Sequence, residues 1–276
     1  MAMTHYTQQL PLIIDPLDFE SVMEEAPDID ICIIDLGAYE TYLHSHIPGA
    51  IHVSPAELIC GVAPHPGKIA THEQLEQLFS RLGCTENTHF IVYDDEGGGW
   101  AGRFIWTLDI LQHPKYSYID GGIVAWKSEK LTLEQGNNTR NEVAYDAHID
   151  KNALIEIPDI LTKLTDPEFR IWDARSPEEY LGLSRTAEKL GRIPGAINCE
   201  WTNLMDDTRG LRIRTDAKSI LAKLGINGRH EVVTHCQSHH RSGFTYLLGK
   251  VFNFNIRAYH GSWAEWGNHP DTPVEH

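Results

Sequence analysis

The chain repeats itself, and a duplication limits the architectures open to it more than any single motif does. Ile33-Ile34-Asp35 is followed by Tyr42, and Ile171-Trp172-Asp173 is followed by Tyr180 at the same spacing. Ile47-Pro48-Gly49-Ala50-Ile51 recurs as Ile193-Pro194-Gly195-Ala196-Ile197, and Arg81-Leu82-Gly83 as Lys223-Leu224-Gly225. The apolar run at 90–93 corresponds to 232–235, and the segment 121–126 to 261–266. Ile31-Cys32-Ile33-Ile34-Asp35 is continuously apolar up to its aspartate, as in a strand buried on both faces of a parallel sheet. Thr71-His72-Glu73-Gln74 reads as a capping box that opens a helix, with Leu75, Leu78, Phe79 and Leu82 in helical period and Gly83 as its stop. Helices are also expected at 16–25 and 100–111, and a strand at 116–119. The prediction is two copies of one α/β unit of about 120 residues, each a parallel sheet flanked by helices. The first spans 1–128 and the second 153–276. Residues 129–152 are polar, lack a period and read as the linker.

Composition narrows the partners. With 23 basic against 39 acidic residues the formal charge is −16, and the basic residues are scattered. Attraction to nucleic acid or an anionic membrane is not expected. No apolar run approaches the roughly 20 residues of a membrane span. The stretch from Met1 to Leu12 lacks a basic segment followed by an apolar one, so a cytoplasmic location is expected. Five cysteines at wide spacing, with no C-x-x-C pair, argue for reduced thiols rather than disulfides or structural zinc. Cys32 and Cys199 sit in apolar runs and read as small buried hydrophobes. Cys84 has no basic neighbour to activate it.

The copies differ where chemistry is expected. Val232-Val233-Thr234-His235 ends at Cys236, and Gln237-Ser238-His239-His240-Arg241 leads into a helical pattern at 242–250. A thiol between strand and helix N-terminus sits where backbone N–H groups converge and partial positive charge collects. Such a setting, with Arg241 and histidines nearby, depresses a thiol pKa from about 8.5 toward roughly 3.5–7.5. The first copy has Asp94 at this place, followed by Gly97-Gly98-Gly99, so it cannot do thiol chemistry and reads as a structural partner covering one side of the second copy's site, with an independent vestigial domain as the alternative. The glycines lack the Lys-Ser/Thr of a phosphate-binding loop.

Three chemistries fit such a thiol. Sulfur transfer would take a sulfur atom from an anionic donor as a persulfide and pass it to a second nucleophile. A phosphatase would form a cysteinyl phosphate, but its loop places about five residues between cysteine and arginine to encircle a tetrahedral phosphate; here there are four, Gln237 to His240. Metal ligation by Cys236 with His235, His239 or His240 is disfavoured because no second ligand pair has zinc-site spacing. No metal and no organic cofactor is therefore expected.

Taken together, Tyr42-x-x-x-His46-Ile47-Pro48-Gly49-Ala50, Asp173-Ala174-Arg175, Ile193-Pro194-Gly195-Ala196, the Cys236–Arg241 loop and Gly261-Ser262-Trp263-Ala264-Glu265-Trp266 make the chain resemble the tandem-domain rhodaneses, bacterial-type thiosulfate sulfurtransferases, over nearly its whole length. The resemblance implies a rhodanese fold in each half and an inactive first domain with aspartate at the cysteine position. It also implies a Cys236 persulfide loaded from thiosulfate, with sulfite leaving and cyanide or a thiol accepting. The family's animal members carry lysine at the position of Ser238 and arginine at that of Glu179, and this chain has neither. The expected substrate-binding set is Gln237, Ser238, His239, His240, Arg241 and Arg175, with protonated His239 or His240 helping to hold the donor anion. Glu179 would repel that anion if it faced the site. 3-Mercaptopyruvate as donor, a sulfur-relay module handing its persulfide to a protein acceptor, and a cysteine phosphatase are the alternatives, in that order.

Several other residues admit two readings. Asp35 and Asp173 end equivalent strands of both copies, which favours carboxylates that accept loop N–H bonds. Arg175 would orient substrate or pair with Glu178 or Glu179. Trp201, Trp263 and Trp266 would line the donor pocket or fill the contact between halves. His260, where the family commonly has an acid, has no evident role in the sequence.

Overall fold

The structure, a computed structural model, describes residues 10–25 and 29–276. Residues 1–9, most of the stretch considered above for a leader, lie outside it. In the first unit the chain runs through β1 (Ile13–Ile14), α1 (Pro16–Glu25), β2 (Ile31–Asp35), α2 (Tyr39–His44), β3 (Ile51–His52), α3 (His72–Arg81), β4 (His89–Tyr93), α4 (Gly99–Ile110), β5 (Tyr116–Ile119) and α5 (Gly122–Ser128). The second unit contains α6 (Ile157–Lys163), β6 (Phe169–Asp173), α7 (Pro177–Tyr180), β7 (Ile197–Asn198), β8 (Met205–Asp206), β9 (Arg212–Ile213), α8 (Ala217–Lys223), β10 (Glu231–His235), α9 (Arg241–Val251), β11 (Asn255–Ala258) and α10 (Ser262–Trp266).

Each unit holds one all-parallel sheet, ordered β1-β5-β4-β2-β3 in the first and β11-β10-β6-β7 in the second. The second order is the first without its edge strand, as the repeat predicts. Strand β4 is buried along its whole length, as a strand covered by helices on both faces must be. The capping box that opens α3 is formed: Gln74 N donates to Thr71 Oγ1 at 3.2 Å and Thr71 N to Gln74 Oε1 at 2.8 Å. Three strands had no signal in the sequence. The two-residue β1 is too short for a period, and so are β8 and β9, which form an antiparallel hairpin.

The units join through equivalent helices. Helix α4 crosses α9 with Gly102 against Gly243; a Cβ on Gly102 would lie 2.2 Å from the Gly243 carbonyl oxygen. Small residues at the crossing let the two backbones touch, so the cores interleave. Trp106 and Ile110 of α4 pack in the second unit's core with Phe244 and Leu248, while Leu247 of α9 packs in the first unit's.

Each unit also extends an arm over the other. The 59–69 loop of the first, closed by an Ile59–Ile69 bridge, lies on the second unit. The β8–β9 hairpin lies on the first, where Arg212 donates to Asp15 at 3.1 Å and Ile213 N to Asp120 at 2.8 Å. The 129–152 segment, read above as the linker, is an extended strap bonded along the first unit. Val143 N donates to Ser80 O at 3.1 Å, Arg140 to Asp30 at 2.6 Å, and Asp150 N to Ile110 O at 2.8 Å.

Candidate active site

Cys236 follows the central strand β10 directly, at the carboxyl end of the parallel sheet, where open α/β sheets bind ligands. Its loop is fixed from both sides. Trp263 N and Ala264 N, in the first turn of α10, donate to the carbonyls of Cys236 and Gln237, both at 2.9 Å. Cys236 N donates to Ser262 Oγ at 3.3 Å. His239 takes a positive φ of 58°, which turns the chain into α9. The carbonyls of Cys236 and Gln237 thus face α10, and the Ser242 N–H and hydroxyl bond the sulfur.

The thiol is 1% exposed. Burial alone would raise its pKa, but the Arg241 charge, bonds from the Ser242 hydroxyl and N–H, and His240 outweigh burial and leave it below the ordinary thiol value. The other cysteines show what burial does without such partners. Desolvation pushes Cys32 and Cys199 up to about 11 and Cys84 to about 12. Cys60, half-buried, donates to the carbonyls of His65 and Pro66.

The first unit shows the same cradle with a built-in anion. One Asp94 oxygen accepts N–H bonds from Glu96, Gly97 and Gly98 at 3.2, 3.0 and 2.8 Å, and the other accepts from Ala101 at 3.0 Å. Burial and the Glu96 charge push Asp94 up to about 6 against those bonds. A carboxylate therefore occupies the place that sulfur holds in the second copy.

Arg241 lies beside the sulfur, but its guanidinium is claimed by a bidentate pair with Glu179 at 2.6 and 2.9 Å. Glu179 also closes the capping box of α7 with Ser176. Its charge is thereby neutralised rather than left to repel a donor. Gln237 donates from its amide to Thr186 O at 2.9 Å, in the 182–190 insertion, and Ser238 lies under Gly67 of the first unit's arm.

His239 and His240 part company. His239 is fully buried, with Nδ1 2.7 Å from Ser242 Oγ and its ring edge-on to Trp106, and burial and Arg103 hold its pKa well below the ordinary value. A neutral His239 that donates from Nδ1 to Ser242 leaves the Ser242 hydroxyl free to donate to the sulfur; this tautomer is assigned from the network. Of the two histidines expected to help hold the donor when protonated, His239 is therefore held neutral by its burial. His240 stacks on Trp100 of the first unit and is ion-paired with Glu96.

Arg175 pairs with neither Glu178 nor Glu179. Its guanidinium is fully buried, holds Asp173 through bonds of 2.6 to 3.1 Å, donates to Gly191 O at 3.0 Å, and lies over the Trp263 ring at 4.4 Å. It braces the β6 end of the site, and its charge is already balanced there. Asp35 likewise accepts a loop N–H, from Gly37 at 2.7 Å. Trp263 and Trp266 fill the second unit's own core, not the contact between halves. Trp201 is half-buried 5.6 Å from the His240 ring. His260 bridges the units, accepting from Ile69 N at 3.0 Å and pairing with Glu156 at 3.1 Å.

Sequence reasoning missed three first-unit contributors: Glu96, Trp100 and Arg103. Arg103 is buried in α4, donating to Leu58 O at 2.9 Å and to His239 O at 3.4 Å, and burial lowers its pKa to about 9. Glycine is required at 97–99 because the second unit enters there: added Cβ atoms would meet Met205, Phe244 and His240 at 2.7, 2.7 and 2.6 Å.

A model of the rhodanese-like domain matches residues 16–129 and again 157–269. The chain is 47% identical over 269 residues to a thiosulfate sulfurtransferase of Azotobacter vinelandii, covering 96% of this chain and 97% of the relative. It is 45% identical, over the same shares, to a thiosulfate sulfurtransferase of Pseudomonas aeruginosa. The crystal structure of a 3-mercaptopyruvate sulfotransferase from Escherichia coli superposes with a TM-score of 0.78 at 25% identity, covering 92% of this chain and 99% of that one. Among the described residues no helix is long and apolar enough to cross a membrane.

Proposed function

The chain belongs to the rhodanese family, once in each half, and works as a thiosulfate sulfurtransferase; from that premise we propose that Cys236 is its sulfur carrier. The observation that carries this assignment is the setting of Cys236 at the end of β10, with Arg241 after a four-residue gap and the Ser242 hydroxyl and N–H at its sulfur, which favours the thiolate where burial disfavours it in the other buried cysteines. The Cys236 thiolate attacks the outer sulfur of thiosulfate. A new S–S bond forms as the old one breaks, and sulfite leaves with the electron pair. The loop N–H groups and the Ser242 hydroxyl take the negative charge of the resulting persulfide, as the first unit's amides take that of Asp94. Cyanide or a thiol then attacks the outer persulfide sulfur and returns Cys236 as thiolate.

Gln237, Ser238, His240 and Arg241 form the donor's surroundings, with His239 and Arg175 acting through Ser242 and Asp173 as positioning residues. No step needs a metal or an organic cofactor. A protein thiol is an alternative acceptor. All five cysteines are free, which supports a reducing, cytoplasmic setting. Residues 1–128 and 153–276 are taken as the two domains and 129–152 as the connection.

Thiosulfate:cyanide turnover tests the assignment, with p-nitrophenyl phosphate as control. Wild type forms thiocyanate and Cys236→Ser does not. Phosphatase activity lost in Cys236→Ser, without thiocyanate formation in wild type, would replace sulfur transfer by phosphate-ester hydrolysis.

A further inference from the structure

We infer that Glu96, from the unit that lacks the cysteine, is a positioning residue of the sulfur-transfer site: it orients His240 and holds the imidazole as a cation beside Cys236. The inference rests on Cys236 being the sulfur carrier. Glu96 and His240 are 144 positions apart, and the carboxylate is bonded to His240 Nε2. The imidazole lies flat against Trp100, with centroids 4.4 Å apart, and Trp201 meets it edge-on at 5.6 Å. Gly99 clears the space, since a Cβ there would lie 2.6 Å from His240 Nε2 and 2.7 Å from Glu96 Oε1. Nε2 is the nitrogen bound to Glu96, so the second hydrogen of the cation resides on Nδ1.

The titratable groups facing His240 are Glu96 and Asp94 from the first unit and Cys236 and His239 from its own loop. Burial disfavours the cation, but the Glu96 bond and charge, with Cys236 and Asp94, raise the His240 pKa above its ordinary value. A cleft of about 300 Å³, lined by Tyr39, His52, Asp95, Glu96 and Trp100 among others, opens beside the pair. Because Arg241 is already matched by Glu179, the protonation state of His240 is the variable charge next to the sulfur.

Two readouts on the full chain test this. One is the NMR titration of His240, assigned with His240→Gln; the other is the pH profile of persulfide loading by thiosulfate. In Glu96→Gln the amide keeps a hydrogen-bond acceptor and loses the charge. The His240 midpoint then falls by about one pH unit, and the alkaline limb of loading moves to acid by the same amount, a loss of about tenfold on that limb. Glu96→Asp restores most of both. An unmoved His240 midpoint in Glu96→Gln, or a loss equal at every pH, would overturn the inference. The titration needs no turnover, so failure of the sulfur-carrier assignment, seen as no loading in wild type, is distinguishable from failure of this one.

Discussion

Each cation near the sulfur has a different task. Arg175 is matched by Asp173 and braces the end of β6; Arg241 is matched by Glu179; His240 is matched by Glu96. Arg103 has no carboxylate partner among the described contacts, and its backbone acceptors tie the first unit to the loop at His239. Under the proposed mechanism the donor anion competes with Glu179 for Arg241. Removing that competitor's charge in Glu179→Gln, which keeps an oxygen for the Ser176 capping bond, is expected to lower KM for thiosulfate about 3- to 10-fold with kcat little changed. A raised KM in steady-state kinetics would show that Glu179 holds Arg241 in its working position instead of occupying it. His239 illustrates a different control. Neutral and buried, it acts on the sulfur only through Ser242, so His239→Gln, which can still donate to Ser242 Oγ, should keep more activity than His239→Leu in the same assay.

At the scale of elements, the α4–α9 crossing positions the first unit's side chains on the second unit's loop. Gly102→Val would drive a side chain into the Gly243 backbone and force the helices apart. The expected cost is about 1–3 kcal/mol, read as a lower Tm, together with lost sulfur transfer because Trp100 and Glu96 withdraw from His240. A variant with unchanged Tm and activity would mean that the crossing has slack. The elements themselves were largely legible. The repeat identified both sheets, and the α3 capping box formed with the partners its spacing specified. The strand–cysteine–loop–helix order located the candidate nucleophile. What stayed hidden has physical reasons. Strands of two residues carry no period, so β1 and the β8–β9 arm left no trace. The Glu96–His240, Gly67–Ser238 and His260–Ile69 contacts join residues far apart in sequence, and only the docking of the units brings them together. Arg175 had two readings, orienting substrate or pairing with Glu178 or Glu179; the acid it meets is Asp173, two residues before it and nearer in sequence than either. The glycines at 97–99 were visible as an oddity, but their purpose appears only with Met205, Phe244 and His240 against them.

For the molecule as a whole, duplication has been put to unequal use. One copy keeps the anion cradle filled by its own Asp94, and the other offers it to sulfur; the arms and the strap make the two a single body around the loop. The fold also stores an acid sensitivity away from the site. Burial lowers the pKa of His89 from 6.5 to about 4 and lowers that of His113 as well. Between those values the unfolded chain binds more protons at His89 than the folded one, so stability falls as pH falls through that window and is fully present above it. Denaturant midpoints measured across the window should decline, and less steeply in His89→Gln; equal slopes would remove His89 from the account. The claim on which everything else depends is that sulfur resides on Cys236. Intact-mass spectrometry after thiosulfate treatment, followed by peptide mapping, tests it most directly. The account predicts a gain of one sulfur atom on Cys236 and none in Cys236→Ser, whereas no gain, or sulfur mapped to Cys32, Cys60, Cys84 or Cys199, would contradict it.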